Sequence, residues 1–259
     1  MATLKEKRAD ALYTTGLLLH GNNKLKDYYD GVMWWRYAQF NTRAVLDCPF
    51  RTAGCESVCY ATKGKHNCPD VKASRSRSYE ESKRPDLTDA LCYTIRTEKQ
   101  SGRYRDAVML IRIHESGDFY SVQYLRKWLR TWVSFILTDG VRFVFYTKSF
   151  PFFLKLDKTE RDALNALLNS GVVTMNLSMD DTTTTEQRKA YLAMLKAYPK
   201  ANTYYCTEHV ESVKHDNVCD CADCAKCGTC NKGTGKTTVV KIHSASRADM
   251  DAYRASVNK

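Results

Sequence analysis

The sequence of 259 residues predicts an α/β fold, either a partial (β/α) barrel or an open parallel sheet. Short apolar segments typical of buried strands alternate with amphipathic helical segments through the middle of the chain. The spacing between successive strand segments leaves room for the crossover helix that parallel strands require. In addition, two cysteine-dense segments interrupt this alternation, and the second of them predicts a cysteine-rich metal-binding loop near the C-terminus.

The predicted elements follow one another in order. A helical segment, 71–100, comes first and is interrupted at Pro85, since proline breaks a helix. Apolar runs predict buried strands at 107–114, 142–147, 172–178, 202–206 and 238–242. Helices with one apolar side are predicted at 121–137, 158–169 and 185–198, the last with Tyr191, Leu192 and Leu195 facing inward.

The composition, 43% hydrophobic and 27% charged, is that of an ordinary globular protein. The length predicts one large domain or one domain with a small appendage. We expect an α/β core over 1–205, with a cysteine loop at 46–70. Residues 206–259 are expected to form a cysteine-rich metal-binding segment that returns to the core.

The sequence predicts a cytoplasmic location. It has no run approaching the roughly 20 apolar residues that a membrane helix needs, and its first residues lack the apolar stretch of a secretory signal. Thiols in the cytoplasm stay reduced, so the 11 cysteines indicate metal or redox chemistry rather than disulfides.

The first cysteine group is Cys48, Cys55 and Cys59, in the pattern C-x6-C-x3-C. Three thiols this close in a loop can converge on one point, and a soft metal or cluster stabilises such crowded thiolates. Structural zinc sites favour shorter first gaps, so an iron–sulfur cluster of the 4Fe-4S type is the preferred interpretation. Zinc and no metal at all are the alternatives. Three cysteines would leave one iron open for a cofactor.

The second group carries repeated C-x2-C spacing, which is the strongest metal signal in the chain. It suits a zinc knuckle, a second cluster, or thiolates that complete the first site. The cysteines from this region that we expect to bind metal are Cys206, Cys221, Cys224, Cys227 and Cys230.

Polar residues follow three consecutive predicted strands, where an active-site rim is expected in such folds. The candidates for catalysis are His114, Asp118 and Lys148. The candidates for cofactor binding are Ser116, Gly117, Asp118, Asn176 and Ser178. The alternative is that such residues only cap the helices that follow.

The net charge of +11 favours a polyanionic partner, so nucleic acid is a candidate, with solubility alone as the alternative. The segment GTGKTT at 233–238 does not form a nucleotide-binding loop. The position that must be glycine in that motif is Cys230, and no helix is predicted after it.

Several segments resemble the phage-encoded gene product 88 domain family. They are GNNKL at 21–25, CPFRTAGCESVCYATKG at 48–64, IRIHESGDFYSVQYLRKW at 111–128, FVFYTKS at 143–149 and VVKIH at 239–243. The resemblance covers most of the chain and implies a phage origin, hence the cytoplasm of a host cell, without implying an activity.

A more distant resemblance is to radical S-adenosylmethionine enzymes built on a partial barrel. It implies that Cys48, Cys55 and Cys59 hold a four-iron cluster, and that Gly117 and Asp118 lie where a Gly-Gly-Glu motif contacts the cofactor amine. The chain departs from that family in its cysteine spacing, since the family pattern is C-x3-C-x2-C, and in its Ser-Gly-Asp sequence.

The leading functional hypothesis is therefore an iron–sulfur enzyme that uses S-adenosylmethionine on nucleic acid or a nucleotide-derived substrate. The rival hypothesis is a non-catalytic nucleic-acid-binding protein with structural iron–sulfur or zinc sites, used in phage replication or host takeover. Catalysis needs a cluster with an open iron, whereas a structural site is closed by four protein ligands.

Overall fold

A computed structural model describes residues 17–20, 27–219, 229–242 and 246–257 of the chain. Its described part contains one sheet of nine strands. The strands are β1 Leu19–His20, β2 Tyr28–Tyr29, β3 Trp34–Phe40, β4 Ala107–Ile113, β5 Val141–Thr147, β6 Val173–Asp180, β7 Asn202–Thr207, β8 Asn217–Cys219 and β9 Thr237–Lys241.

Eight α-helices are described outside the sheet. They are α1 Ala53–Ser57, α2 Pro69–Lys83, α3 Leu87–Gln100, α4 Val122–Val133, α5 Phe150–Leu154, α6 Lys158–Asn169, α7 Thr185–Ala197 and α8 Arg247–Val257. Side chains fix several of their first turns. Ser121 caps α4, and capping boxes begin α6 and α7, through Asp157 with Glu160 and Thr184 with Gln187.

The strand order is β1-β3-β4-β5-β6-β7-β9-β8, with β2 paired to β3. Every pair from β3 to β8 is parallel, and only β1 and β2 run antiparallel to their neighbour. The mixed α/β class with a mostly parallel sheet is thus confirmed. Strands β8 and β9 come from the segment after 206, so this part of the chain extends the same sheet.

The main core lies on one side of the sheet, which we call the helical face. Alternate strand residues such as Ile111, Phe145 and Leu177 pack there against α4 and the neighbouring helices. Aromatic rings dominate: Trp132 stacks on Phe145 with 5.2 Å between ring centroids. Burial of these large apolar side chains is the main stabilising contribution to the fold.

The opposite side of the sheet, which we call the open face, carries a small apolar cluster built from strand residues, namely Tyr37, Leu110 and Val144 with Tyr28, Trp35 and Tyr146 against it. The segment 229–232 lies over part of this face. The Asn231 carbonyl accepts a hydrogen bond from Thr174 of β6, and its amide donates to the hydroxyl of Tyr37 on β3. Asn231 thus contacts side chains of two strands, β3 and β6, that are not adjacent in the sheet.

Most of the predicted elements are present, with shifted ends. The helical segment 71–100 divides into α2 and α3, as Pro85 predicts. One prediction about α7 is wrong: Leu192 is 57% exposed, and Met194 is the fully buried residue of that helix. Strand β3 was not predicted. No helix in the described ranges is both long and apolar enough to cross a membrane.

Candidate functional site

The carboxyl ends of the parallel strands lie beneath the cysteine loop that follows β3. Two backbone hydrogen bonds join this loop to the end of β4, from Thr42 to Ser116 and from Asp118 to Asp47, each 3.1 Å long. Parallel strands bring their carboxyl ends to one edge, so the loop is held where ligands collect in such folds.

The short helix α1 carries Cys55 and is fixed to the end of β6. Thr52 caps it, accepting from the Cys55 amide at 3.1 Å, and donates its own hydroxyl to Asp180. The Gly54 amide donates to Thr182 Oγ1 at 2.9 Å. A Cβ at Gly54 would lie 2.6 Å from the Tyr253 ring of α8, so only glycine fits between the two helices.

Arg75 holds the chain that follows Cys59. Its side chain is only 4% exposed and donates to the Ala61 carbonyl at 2.7 Å and to the His66 carbonyl at 3.3 Å. The guanidinium thus satisfies loop carbonyls. Although Arg75 lies in the basic stretch of α2, it supports the cysteine loop from within.

The thiols of Cys48, Cys55 and Cys59 lie within electrostatic range of one another. Burial raises the pKa of all three, that of Cys55 to about 11, and the neighbouring thiols and Asp118 raise the pKa of Cys48 further. The loop therefore brings the three thiols into the same region of the fold, and their convergence on one metal centre stays a prediction. Cys68 is exposed, and Cys92 is buried on α3.

A fourth thiol reaches this group from β7. Burial raises the pKa of Cys206 to about 12, and its charge interacts with those of Lys148, Cys55 and Asp180. Of the predicted metal ligands in the second region that the structure describes, Cys206 and Cys230, it is Cys206 that lies beside the first group.

The donor set fits a thiolate-bound metal centre in its chemistry. Crowded thiols with raised pKa values gain from a soft cation, because metal binding replaces their protons and compensates the negative charge of the thiolates that form. Across the described ranges, however, no three His, Cys, Asp or Glu side chains already lie in position to share one ion. Binding would have to draw the sulfur atoms closer together.

Lys148 forms the charged centre of the site. Its ammonium lies 2.8 Å from Asp180 Oδ2 and donates to the Ser178 carbonyl at 3.2 Å, with both side chains nearly fully buried. Burial alone would raise the pKa of Asp180, but the Lys148 charge outweighs it and holds that pKa below its usual range. The same ammonium favours the thiolate forms of Cys55 and Cys206.

Asp118 joins the ends of β4 and β5. Its carboxylate accepts from the Thr147 hydroxyl at 2.8 Å and from the amides of Lys148 and Phe119 at 2.9 and 2.7 Å. Burial nevertheless raises the pKa of Asp118 to about 6. The carboxylate holds two strand ends together beside the thiols.

The Ser116–Gly117 segment packs closely against the cysteine loop. The Ser116 hydroxyl donates to the Thr42 carbonyl at 2.7 Å. Gly117 has φ +83°, and a Cβ there would meet Thr42 Oγ1 at 1.9 Å. Glycine is thus required both by the left-handed backbone and by the loop above it.

His114 and Asn176 form hydrogen bonds with groups other than the thiols of Cys48, Cys55 and Cys59. His114 is buried on the helical face beside Phe119 and bonded to the Tyr124 hydroxyl at 2.9 Å, and burial lowers its pKa to about 3. Asn176 lies on the open face, where its amide donates to the Cys230 carbonyl at 3.1 Å and its carbonyl accepts from Asn202. Both side chains have internal partners.

The remaining predicted ligands lie further along the chain. Cys221, Cys224 and Cys227 are outside the described residues. The thiols of Cys219 and Cys230 lie within electrostatic range of Tyr204 on the open face, as does Cys206. Cys206 is therefore close to both cysteine groups.

Sequence reasoning did not identify Arg112, Tyr146 and Tyr204 as site residues. These half-buried side chains lie on the open face next to the thiols. The period-two alternation of the strands could have identified them. Arg112 lies two residues after Leu110, and Tyr146 two residues after Val144, so each pair faces the same side of the sheet. Continuous apolar character hid this alternation, because both faces are largely covered.

The fold and the site define an α/β protein with a thiol-rich site at the carboxyl edge of a mostly parallel sheet. Comparison with known families then places the chain more narrowly. It belongs to the gene product 88 family, whose model matches residues 16–233.

Two relatives are phage proteins called Gene 88 protein. The one from Mycobacterium phage D29 is 33% identical over 108 residues, and the one from Mycobacterium phage L5 is 33% identical over 110 residues. Each match covers 40% of this chain and 43% of the relative, less than half of its length. No solved structure matches the chain.

Proposed function

We propose that the chain is an iron–sulfur enzyme that holds a cluster through Cys48, Cys55 and Cys59 and uses S-adenosylmethionine on a nucleotide-derived substrate. The observation that carries the proposal is the position of this triplet. Three mutually interacting, half-buried thiols from one loop lie over the carboxyl ends of consecutive parallel strands. Enzymes with this architecture place their reactive groups there.

The protein's own residues would have defined tasks in such a site. When bound with S-adenosylmethionine, a cluster of this kind supplies one-electron reduction of a sulfonium. Lys148 compensates the negative charge of the thiolates, while Asp180 and Thr52 fix α1 and hence Cys55. Gly117 lets the end of β4 lie directly against Thr42 of the cysteine loop, beside the thiols.

One observation favours the rival function, a non-catalytic protein with a structural metal site. Cys206 lies beside Cys55 and shares Lys148 as a charged neighbour. As a fourth thiolate it would close the cluster and leave no open iron for a cofactor. Such a closed centre would only stabilise the fold, and the positive net charge would then serve nucleic-acid binding.

Metal analysis of cysteine variants separates these possibilities. Anaerobically purified protein should contain iron and sulfide, and Cys55→Ala should lose both, because each ligand is needed to hold the cluster. Cys92→Ala is the control, since Cys92 is a buried thiol that lies on α3, outside the cysteine loop. Colourless protein with stoichiometric zinc and no sulfide would refute the iron–sulfur proposal.

The variant Cys206→Ala then distinguishes an open cluster from a closed one. With three ligands, the variant should keep its iron, and S-adenosylmethionine should change the electron paramagnetic resonance spectrum of reduced wild-type protein. Loss of iron in Cys206→Ala, together with a spectrum that the cofactor does not change, would support the structural alternative.

A further inference from the structure

The open face carries a polar and aromatic group next to the thiols, formed by Arg112, Tyr146, Tyr204 and Tyr60, which we call the Arg112 cluster. The Arg112 guanidinium carbon lies 5.3 Å from the centre of the Tyr146 ring, and the Tyr146 and Tyr204 rings are 4.9 Å apart at 77°. An Nη of Arg112 lies 3.5 Å from the Tyr60 hydroxyl.

Arg112 differs in its partners from half-buried arginines that are held by ion pairs. Arg43 and Arg126, for example, lie 2.7 Å from the carboxylates of Asp47 and Glu160. Within the described ranges, no carboxylate lies within ion-pair distance of Arg112, although Glu115 is in electrostatic range. The buried Nε of Arg112 has no hydrogen-bond partner among the described residues. A guanidinium that is partly desolvated without an anion is unfavourable. An anion bound at this position would therefore stabilise Arg112.

The Arg112 cluster adjoins the proposed metal centre on two sides. Tyr204 lies two residues before Cys206 on the same side of β7, and Tyr60 directly follows Cys59. The segment 229–232 lies across the same face through Asn231. A small molecule seated on Arg112 would therefore lie between this segment and the thiols.

We propose that Arg112 binds the anionic group of a small-molecule substrate, and that the rings of Tyr146 and Tyr204 pack against a flat ring in that molecule. The guanidinium fork fits a phosphate or a carboxylate with two hydrogen bonds, and aromatic side chains pack well on planar rings. This inference rests on the proposed function only in taking the bound molecule to be the substrate of the thiol site.

Equilibrium binding to the full chain tests the proposal. The probes are adenosine monophosphate, adenosine, benzoate and inorganic phosphate. We expect wild-type protein to bind adenosine monophosphate or benzoate more tightly than adenosine or phosphate alone. Binding of adenosine monophosphate would identify the anionic group as a phosphate, and binding of benzoate would identify it as a carboxylate.

Two variants with a matched control assign that binding to Arg112. Arg112→Met should weaken it about 10- to 100-fold, the loss expected for charge-assisted hydrogen bonds. Arg112→Lys should also weaken it, because lysine keeps the charge but lacks the fork. Arg142→Met is the control: Arg142 pairs in register with Leu110, on the same face but at the amino end of β5.

Two results would overturn the inference: no binding of any probe at millimolar concentration by wild-type protein, or equal binding by Arg112→Met and wild type. Thermal unfolding of each variant establishes that it is folded. Iron analysis of the same samples distinguishes the two proposals. Probe binding by protein without a cluster supports the Arg112 site but not the iron–sulfur proposal. A full cluster without probe binding refutes the Arg112 site and leaves the iron–sulfur proposal standing.

Discussion

The two faces of the sheet differ in what their side chains contact. On the helical face, residues such as Phe145 pack in an almost wholly apolar core with Trp132 and Phe119. On the open face, the neighbouring residue Tyr146 contacts Arg112 and Tyr204 and is half-buried. Successive residues of a strand point to opposite faces, so one short sequence serves both surroundings.

This difference shows where the molecule can change without losing its fold. Apolar packing on the helical face supplies most of the stability, whereas polar side chains on the open face and at the carboxyl edge cost stability to bury. Burying polar groups near one site lowers stability, so their presence there indicates a functional role such as catalysis or ligand binding.

The adjacent pair Phe145 and Tyr146 tests this comparison most directly. Phe145→Ala should lower the free energy of unfolding by about 3–5 kcal/mol, since it leaves a cavity among packed rings. Tyr146→Ala should cost only about 1–2 kcal/mol, because that side chain is half-buried and water can fill its place. Urea unfolding measures both, and equal losses would contradict the assigned roles of the two faces.

At the carboxyl edge, Gly117→Ala should lower the free energy of unfolding by about 2–4 kcal/mol. The alanine is strained at φ +83° and its Cβ overlaps Thr42. Gly171→Ala is the control: its φ is also positive, +72°, but no atom lies within 4 Å of the added Cβ. Gly171→Ala should lower the free energy of unfolding by about 1 kcal/mol, from backbone strain alone. Similar losses in both variants would mean that the cysteine loop moves to make room for the added Cβ at position 117.

Burial of His114 on the helical face makes the free energy of unfolding depend on pH. Its pKa is about 3 in the folded chain, below the ordinary value near 6.5, so only the unfolded chain takes up its proton between these values. The stability it contributes is present above pH 6.5 and is lost as the pH falls towards 3. Between pH 7 and pH 5 the loss is roughly 2 kcal/mol.

His114→Asn removes this titration, and asparagine tolerates the positive φ of 62° at that position. The variant should be less stable overall but should lose roughly 2 kcal/mol less than wild type between pH 7 and pH 5. Asp118, with its pKa of about 6, acts in the opposite direction and is common to both proteins. Identical pH dependence in urea unfolding would show that His114 does not titrate as described.

The smallest expected effect concerns the outer surface of α2. Lys83 pairs with Glu80 and Arg75 is buried, but Arg77 is exposed. Single-stranded nucleic acid should bind with an affinity that falls as salt rises, and Arg77→Ala should reduce the logarithmic slope by about 0.7. Lys83→Ala should change it less. Fluorescence anisotropy across salt concentrations measures this, and a flat response would leave the net charge to solubility alone.

The sequence predicted the central strands and helices well, for a physical reason. Buried parallel strands such as β4 are continuous apolar runs, and helices such as α6 carry a regular apolar stripe. Strand β3, WWRYAQF, was missed because aromatic, charged and small residues mix within it. Its partners on both sides, rather than its own pattern, make it a strand.

The site was predictable only in part. Lys148 and Asp118 were placed at the strand ends because parallel strands share one carboxyl edge. The bond between Thr52 and Asp180 was not, since it joins residues 128 positions apart and depends on how α1 docks. Nor does sequence give the direction of a side chain where the backbone turns left-handed, as at His114, which points into the helical face.

Helix α8 comes long after α1 in the chain but packs directly on it. Tyr253 contacts Gly54 and donates to Asp181, and Asp249 pairs with Lys63 at 2.7 Å. During synthesis, the segment with Cys55 and Cys59 therefore leaves the ribosome well before the helix that braces it. The contacts of Tyr253 and Asp249 with the cysteine loop can form only after residues 247–257 have been synthesised, so this bracing is a non-local part of the fold.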